Sequence, residues 1–257
     1  MIVGFAGSGN MAGAIARGLA RSRPTPDAML FTDSGSGRAA ELATELGGER
    51  VAALERLADR SDVVFLAVKP AALDAVGPRL ADRGCAVVSG LGATSLERLG
   101  EVLGPTPVLR AMPNLAVEIG CGVVCHAPAS ADAPELGGAL ELLSGLGSVI
   151  ELPEEQLDAA TAVMGCAPAY IALAADALAE AGADAGLDPE LSARLVREAV
   201  EGVGRHLASR DPGSMQEAIA SPGGSTEAGL AVLADRGAAA AFTAAVEASL
   251  QRLAGSG

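Results

Sequence analysis

Short apolar runs alternate with helical patterns over the first 150 residues, and none follows Pro153. Runs such as Ile2–Ala6, which ends at a glycine, are typical of strands buried on both faces of a parallel sheet. After Pro153 the pattern is helical and rich in alanine. We therefore predict an α/β fold, a doubly wound sheet over residues 1–152 followed by an all-helical domain over residues 153–257.

Periodicity places the individual elements. The predicted strands are 2–6, 29–32, 63–68, 86–89, 108–111, 123–125 and 148–152. The main predicted helices are 10–21, 39–46, one through residue 80, 154–181, 188–209, 213–220, 226–235 and 238–253. Pro168 lies inside the first C-terminal helix and is expected to kink or break it. Helices with such small side chains bury little area each, so we expect a second subunit to cover an apolar face and form a homodimer.

Composition excludes several function classes. The net charge of −14, 2% aromatic residues and no tryptophan argue against a nucleic-acid partner. No run of about 18 uncharged apolar residues is found, which argues against a membrane span and a membrane partner. No basic region precedes the first strand, so no signal peptide is predicted and a cytoplasmic location is expected. The four cysteines lack zinc-site spacing, so no metal is predicted and reduced thiols are expected.

A glycine-rich segment joins the first strand to the first helix. Gly7-Ser8-Gly9-Asn10-Met11-Ala12 matches the dinucleotide fingerprint, with alanine at the third glycine position. Gly7 permits a tight turn, Gly9 lets the backbone approach a pyrophosphate, and the helix N-terminus faces that anion. The alternative is a glycine turn with a structural role alone. The fingerprint favours a Rossmann-like domain that binds NAD(P).

The end of the second strand carries mixed signals about the cofactor. Asp33 suits the ribose hydroxyls of NAD, whereas Ser34, Ser36 and Arg38 suit a 2′-phosphate, which Asp33 would repel. On balance NADPH is the predicted cofactor, with NADH tolerated.

Four further motifs extend along the chain. They are Ala67-Val68-Lys69-Pro70, Arg110-Ala111-Met112-Pro113-Asn114, Gly165-Cys166-Ala167-Pro168-Ala169-Tyr170 and Ser221-Pro222-Gly223-Gly224-Ser225-Thr226. With the glycine loop, these resemble the pyrroline-5-carboxylate reductase family over nearly the whole chain, and the segment 221–226 is the most specific match. The resemblance implies NAD(P)H-dependent reduction of the cyclic imine 1-pyrroline-5-carboxylate to L-proline, the last step of proline biosynthesis. It also implies a homodimer whose helices complete the site, and it leaves open whether dimers assemble further.

The resemblance also assigns residues. Its cofactor contacts fall on Phe5, Ala6, Gly7, Ser8, Gly9, Asn10, Met11, Ser34, Ala67, Val68, Lys69 and Pro70. Its substrate contacts fall on Ser221, Gly223, Gly224, Ser225 and Thr226, with Glu154 matched less securely. Thr226 and Lys69 are the expected catalytic residues. Lys69 is the only lysine of the chain, and its alternative is a solvated side chain at a strand end.

The chemistry of segment 221–226 agrees with that assignment. It precedes an apolar helix, so its N–H groups and the helix dipole are expected to hold a carboxylate, while Thr226 adds a hydroxyl. The alternative is an ordinary loop with Thr226 as the helix N-cap. His126 and His206 adjoin no motif, and no nucleophile–base pair is found. Hydride transfer to an imine requires positioning and a proton source more than a strong base.

Departures from the family pattern leave rival functions open. The family's Met-Pro-Asn-Thr-Pro is here Met112-Pro113-Asn114-Leu115-Ala116, and Leu54 and Ala218 stand where some relatives carry polar residues. A related imine or small-carbonyl reductase with another substrate is one rival. A non-catalytic dimeric protein that binds NAD(P) as a regulatory signal is the other.

Overall fold

The computed structural model describes residues 1–254, which form two compact units. The first contains Met1–Cys166 and the residues from Ser249 onward, and the second is Ala167–Ala248. The predicted domain boundary between residues 152 and 153, which rests on the change of sequence pattern after Pro153, stays a prediction.

The first unit contains an eight-stranded sheet in the order β3-β2-β1-β4-β5-β6-β7-β8. Its pairs are parallel except β6 with β7, which is antiparallel. The strands are β1 Ile2–Ala6, β2 Ala28–Thr32, β3 Glu49–Arg50, β4 Val63–Leu66, β5 Ala86–Ser89, β6 Val108–Pro113, β7 Gly122–His126 and β8 Gly147–Glu151. This confirms the predicted doubly wound sheet; β3, which is very short, was not predicted.

Helices of the first unit connect these strands, except for the last helix, which follows β8. They are α1 Asn10–Arg21, α2 Arg38–Leu46, α3 Leu54–Ala58, α4 Leu73–Leu80, α5 Leu96–Leu103, α6 Pro134–Ser144 and α7 Leu157–Ala160. Single 3₁₀ turns lie at Pro70–Ala72, Leu115–Ile119 and Glu154–Gln156.

Two apolar cores cover the faces of the sheet. On one face Phe5 stacks on Phe31 and Phe65, with ring centroids 5.1 and 5.4 Å apart. The three residues lie in register on β2, β1 and β4, so side chains on the same face meet across neighbouring strands. This ladder places the carboxyl end of β1 firmly in the core, directly before the glycine loop.

The second unit is helical, as predicted. Its helices are α8 Ala167–Asp184, α9 Pro189–Leu207, α10 Pro212–Ile219, α11 Ser225–Asp235 and α12 Ala238–Ala254, of which the last runs on past the unit boundary. The backbones of α8 and α9 approach closely at Gly182, where a Cβ would lie 2.2 Å from the hydroxyl oxygen of Ser192. Large apolar side chains remain exposed, among them Leu173 at 71% and Leu178 at 60%.

The predicted effect of Pro168 is confirmed. Instead of one long α-helix, residues Thr161–Gly165 form a π-helical turn, and α8 begins at Ala167 with Pro168 second. A proline at that position costs no hydrogen bond inside α8, because the first N–H groups of a helix have no partner in it.

The run Glu154–Asp184 is long and apolar enough to cross a membrane by length and composition, and 6% of its most apolar window is buried. Length and hydropathy alone do not distinguish a membrane span from an apolar helix of another kind, so the predicted absence of a membrane span stays a prediction. That prediction required an unbroken uncharged run, whereas this segment qualifies on its mean hydropathy. An exposed apolar helix of this kind equally suits a subunit interface.

Candidate functional site

The glycine loop has the geometry that the fingerprint requires. Gly7 has φ +100°, and a Cβ there would lie 2.6 Å from the carbonyl oxygen of Ala67 on the neighbouring strand end. Gly9 is the N-cap of α1 with no side-chain cap, and a Cβ there would meet nothing within 4 Å. Gly7 is therefore required by the fold itself, whereas the space beside Gly9 is open to a ligand. An anion can reach the free N–H groups that begin α1.

A cleft of about 510 Å³ opens beside this loop. Its walls include the glycine loop after β1, the loop after β2 and the segment after β4. All three follow the carboxyl ends of strands, where sheets of this kind bind ligands. The cleft is lined by Ala6, Gly7, Ser8, Gly9, Thr32, Asp33, Ser34, Ser36, Arg38, Ala52, Leu54, Ala67, Val68, Lys69, Ala72, Val76 and Arg79. Most of the predicted cofactor contacts are thus brought together.

The remaining predicted cofactor contacts have different surroundings. Phe5 is fully buried in the aromatic ladder, so a contact with a ligand would have to use its backbone. Met11 lines a second cavity of about 110 Å³ that shares Ala67 and Val68 with the cleft. Asn10 and Pro70 are exposed beside the loop and beside Lys69.

Cations in the cleft fall into two groups. Arg79 is bound to Glu55 through hydrogen bonds of 2.6 and 2.9 Å, an arrangement that lowers the pKa of Glu55 to about 2. Arg38 and Lys69 are exposed, and within residues 1–254 neither side chain has an acidic partner within ion-pair distance. Two free cations in a chain of net charge −14 mark this part of the cleft as a place for an anion.

Segment 221–226 begins α11 but differs in detail from the sequence expectation. The N–H of Gly223 donates to Glu227 Oε2 at 2.7 Å, and the N–H of Gly224 donates to the Ser221 carbonyl at 2.9 Å. The two glycine N–H groups are thus engaged within the loop. The N–H groups of Ser225, Thr226 and Glu227, in the first turn of α11, have no backbone acceptor in the described part of the chain.

Thr226 is not the N-cap of α11. The N-cap is Gly224, and no side chain of the described residues caps this helix. Half-buried Thr226 lies at its second position. Its hydroxyl makes no hydrogen bond to the residues that the structure describes. The capping interpretation of Thr226 is therefore wrong, and its hydroxyl is available to a ligand.

Glu154 is part of an ionic cluster in the first unit. Its Oε1 accepts from the N–H of Leu96 at 2.6 Å and from Arg110 at 3.2 Å, while Arg110 also donates to Asp158 at 2.6 Å. Arg110 is 3% exposed, and its Nε is buried without a partner among residues 1–254. These contacts give Glu154 a structural task, and its predicted role toward substrate stays a prediction.

Other chemistry is sparse in residues 1–254. No group of three metal-ligating side chains is found there. Buried His126 donates from Nδ1 to the Ala127 carbonyl oxygen, 2.9 Å away, and within the described residues all four cysteines are free. Ala52, Leu54, Ala72, Val76 and Arg79 line the cleft but were not predicted as contacts. Of these five residues, only Leu54 is noted in the sequence analysis, as a departure from the family pattern.

Comparison with known proteins decides the family. The pyrroline-5-carboxylate reductase of Thermus thermophilus is 35% identical over 256 residues, which cover 98% of this chain and 97% of that protein. The chain belongs to the pyrroline-5-carboxylate reductase family. The enzyme of the same name from Synechocystis is 34% identical and covers 97% of this chain and 96% of its own. The resemblance inferred from the motifs is thereby confirmed.

Family models and solved structures agree. The model described as pyrroline-5-carboxylate reductase dimerisation matches residues 154–255, and that described as coenzyme F420-dependent NADP oxidoreductase matches residues 2–91. The pyrroline carboxylate reductase of Plasmodium falciparum, solved with NADP bound, has a TM-score of 0.90, 25% identity and coverage of 100% of this chain and 98% of its own. The Streptococcus pyogenes enzyme has a TM-score of 0.89, 29% identity and coverage of 99% and 98%. A nicotinamide cofactor and a homodimer are thus supported.

Proposed function

We propose that the chain reduces 1-pyrroline-5-carboxylate to L-proline with NADPH, the last step of proline biosynthesis. The observation that carries the proposal is the full-length similarity to reductases of this name, at 35% identity over 98% of the chain. The segment 221–226 is retained within it, which favours catalysis because a nucleotide sensor needs no second anion site.

The cleft of the first unit fits the cofactor. The open space at Gly9 and the free N–H groups of α1 suit a pyrophosphate, and the apolar wall at Leu54 and Val76 suits a flat base. When bound, the reduced nicotinamide supplies a hydride to the imine carbon. Lys69, exposed at the cleft and without an acidic partner among residues 1–254, holds a phosphate by charge and so fixes the position of the cofactor.

The start of α11 binds the substrate. The free N–H groups of Ser225, Thr226 and Glu227 hold the carboxylate, aided by the helix dipole. Ser221, Gly223 and Gly224 shape the loop through their own hydrogen bonds. The hydroxyl of Thr226 donates to the substrate as charge changes at the ring nitrogen, which makes it the catalytic group of this segment.

The preference for NADPH over NADH rests on the loop after β2. Arg38 and the Ser34 hydroxyl are free to meet a 2′-phosphate, and Ser34 and Arg38 both line the cleft. A titration with each reduced cofactor tests the preference, and tighter binding of NADH contradicts it.

We propose a cytoplasmic homodimer in which the helical residues from 154 onward form the interface. The exposed apolar side chains of α8, such as Leu173, are then covered by the second subunit rather than by lipid. Light scattering at micromolar concentration should give the mass of a dimer or of an assembly of dimers. A single monomeric species contradicts the proposal.

Steady-state turnover separates the three functions. NADPH absorbance is followed with pyrroline-5-carboxylate, with other cyclic imines and with small carbonyl compounds. Turnover that is fastest with pyrroline-5-carboxylate and yields proline supports the proposal. Faster turnover with another imine or a carbonyl identifies a related reductase, and cofactor binding without turnover on any of them identifies a regulatory protein.

A further inference from the structure

Asp33 directly follows β2, at the place where NAD-binding proteins keep a carboxylate free for the ribose hydroxyls. Here that carboxylate is already engaged. Asp33 Oδ1 accepts from the N–H of Gly35 at 2.9 Å, and Oδ2 accepts from the Ser36 hydroxyl at 2.7 Å and the N–H of Ala39 at 3.0 Å. These donors belong to its own loop and to the first turn of α2.

The same contacts stabilise the start of α2. Gly37, the N-cap of this helix, has no side chain to offer, and the N–H of Ala39 in the first turn is capped by Asp33 instead. The hydrogen bond from Ala39 is the largest cause that lowers the pKa of Asp33, with Ser36, Gly35 and the charge of Arg50 adding to it. Asp33 therefore stays ionised and held in place.

The loop that Asp33 organises leads to Arg38, one of the two free cations of the cleft. Arg38 is the first residue of α2, and its N–H lies 3.4 Å from the Ser36 Oγ. Its guanidinium has no acidic partner within the described range 1–254. Ser34 stands one residue after Asp33 with an exposed hydroxyl. Ser36 is different, because its hydroxyl proton is directed to Asp33. The groups free for an anion are thus Ser34 and Arg38, with Lys69 across the cleft.

We infer that Asp33 is a positioning residue for recognition of the 2′-phosphate, and that it does not bind the ribose hydroxyls of NAD. Its three hydrogen bonds fix the loop so that Ser34 and Arg38 meet a phosphate monoester in the cleft. This inference rests on the proposed NADPH preference. A free Asp33 carboxylate would repel the 2′-phosphate, so its removal would be expected to tighten NADPH binding. We expect the opposite, because the engaged carboxylate holds the loop that binds the phosphate.

Asp33→Asn separates the two roles. The amide retains one carbonyl oxygen but loses the acceptor for either Gly35 or the Ser36–Ala39 pair, so the loop loosens. Dissociation constants are measured by fluorescence titration for NADPH and NADH, and by calorimetry for 2′-AMP and 5′-AMP. We expect NADPH and 2′-AMP to bind about 10-fold more weakly, with NADH and 5′-AMP within about twofold of wild type. Unchanged or tighter NADPH binding, or a larger loss for NADH, overturns the inference.

Two further variants distinguish a specific effect on NADPH binding from a loss of affinity caused by a destabilised fold. Ser36→Ala removes one contact of Asp33 while keeping its charge, and it should also weaken NADPH selectively. Asp188→Asn removes an equal charge and the cap of α9 in the other unit, and it should leave all four dissociation constants unchanged. Asp33→Asn could lower the melting point and weaken the binding of both cofactors equally, and the result for Ser36→Ala is then decisive. If Ser36→Ala also weakens NADPH and NADH equally, the inference is overturned.

Failure of the inference is distinguishable from failure of the proposed function. A wild-type chain that binds NADH more tightly than NADPH contradicts the proposed cofactor. A wild-type chain that prefers NADPH, with that preference kept in Asp33→Asn and Ser36→Ala, contradicts only the role of Asp33.

Discussion

The side-chain amide of Asn114 donates a hydrogen bond of 3.2 Å to the carbonyl oxygen of Met164. In a continuous α-helix that carbonyl would accept from residue 168, but Pro168 has no N–H. Asn114 therefore replaces the bond that the proline removes. Its Oδ1 also accepts from the N–H of Val123, so one buried side chain ties β7 to the π-helical turn. Asn114, the last residue of one family motif, thus contacts Met164, which directly precedes the motif that begins at Gly165.

Asn114→Asp is predicted to destabilise the protein. A carboxylate can still accept from Val123 but cannot donate to Met164, which leaves that carbonyl without its partner. The expected loss in the free energy of unfolding is about 1–3 kcal/mol, measured by denaturant titration. Asn114→Ala removes both bonds and should cost more. Equal stability of Asn114→Asp and wild type would show that the amide bond is dispensable.

Gly9→Val is predicted to abolish cofactor binding while the fold survives. A side chain there meets no protein atom within 4 Å, yet it fills the space through which the backbone approaches a pyrophosphate. We expect a loss of affinity of at least about 100-fold, or ~2.7 kcal/mol, by fluorescence titration.

Gly7→Val provides the contrast. Its φ of +100° and the 2.6 Å approach to the Ala67 carbonyl make any side chain strained, so it should lower the melting temperature as well. Normal cofactor affinity in folded Gly9→Val would remove the pyrophosphate assignment.

Thr226→Ala is predicted to lower kcat/KM for the imine by about 10- to 150-fold, the equivalent of one hydrogen bond of about 1.5–3 kcal/mol to a charged group. The melting temperature should hardly move, because Gly224 rather than Thr226 is the N-cap. Cofactor affinity should also be retained, since the glycine loop belongs to the other unit.

Thr226→Ser keeps the hydroxyl and should restore most of the activity, so it serves as the matched control. A lowered melting temperature with normal kcat/KM in Thr226→Ala would end the catalytic assignment.

The Glu55–Arg79 pair predicts a pH dependence. The hydrogen bonds from Arg79 lower the pKa of Glu55 from 4.5 to about 2, so the pair adds stability above pH 4.5 and loses it as the pH falls toward 2. Wild type should melt higher than Glu55→Gln at pH 7, and the gap should close between pH 4.5 and 2. Because both side chains are partly exposed, high salt should also shrink it. A gap that is constant with pH would contradict the pairing.

Periodicity predicts the regular elements well and the short ones poorly. Strands Ile2–Ala6 and Ala86–Ser89 match their predicted bounds because each is a buried apolar run between turns. Glu49–Arg50 is exposed, charged and two residues long, so it has no pattern to detect. Its pairing depends on the neighbouring β2 alone.

Some site residues are likewise predictable from the sequence, whereas others are not. The glycine loop and Lys69 are contiguous motifs at strand ends, which the sequence makes visible. Arg79 and Val76 reach the cleft from α4, and only the packing of that helix brings them there. The engaged carboxylate of Asp33 and the engaged N–H groups of Gly223 and Gly224 depend on side-chain geometry that no residue pattern encodes.

Transfer of deuterium from the cofactor to the product tests the proposed reduction of the imine. NADPH deuterated at the reactive C4 position is incubated with the protein and 1-pyrroline-5-carboxylate, and the product is analysed by mass spectrometry. We expect proline that carries one deuterium atom at C5, formed in an amount equal to the NADPH consumed. Proline without deuterium, or NADPH that binds but is not consumed, would contradict the proposal.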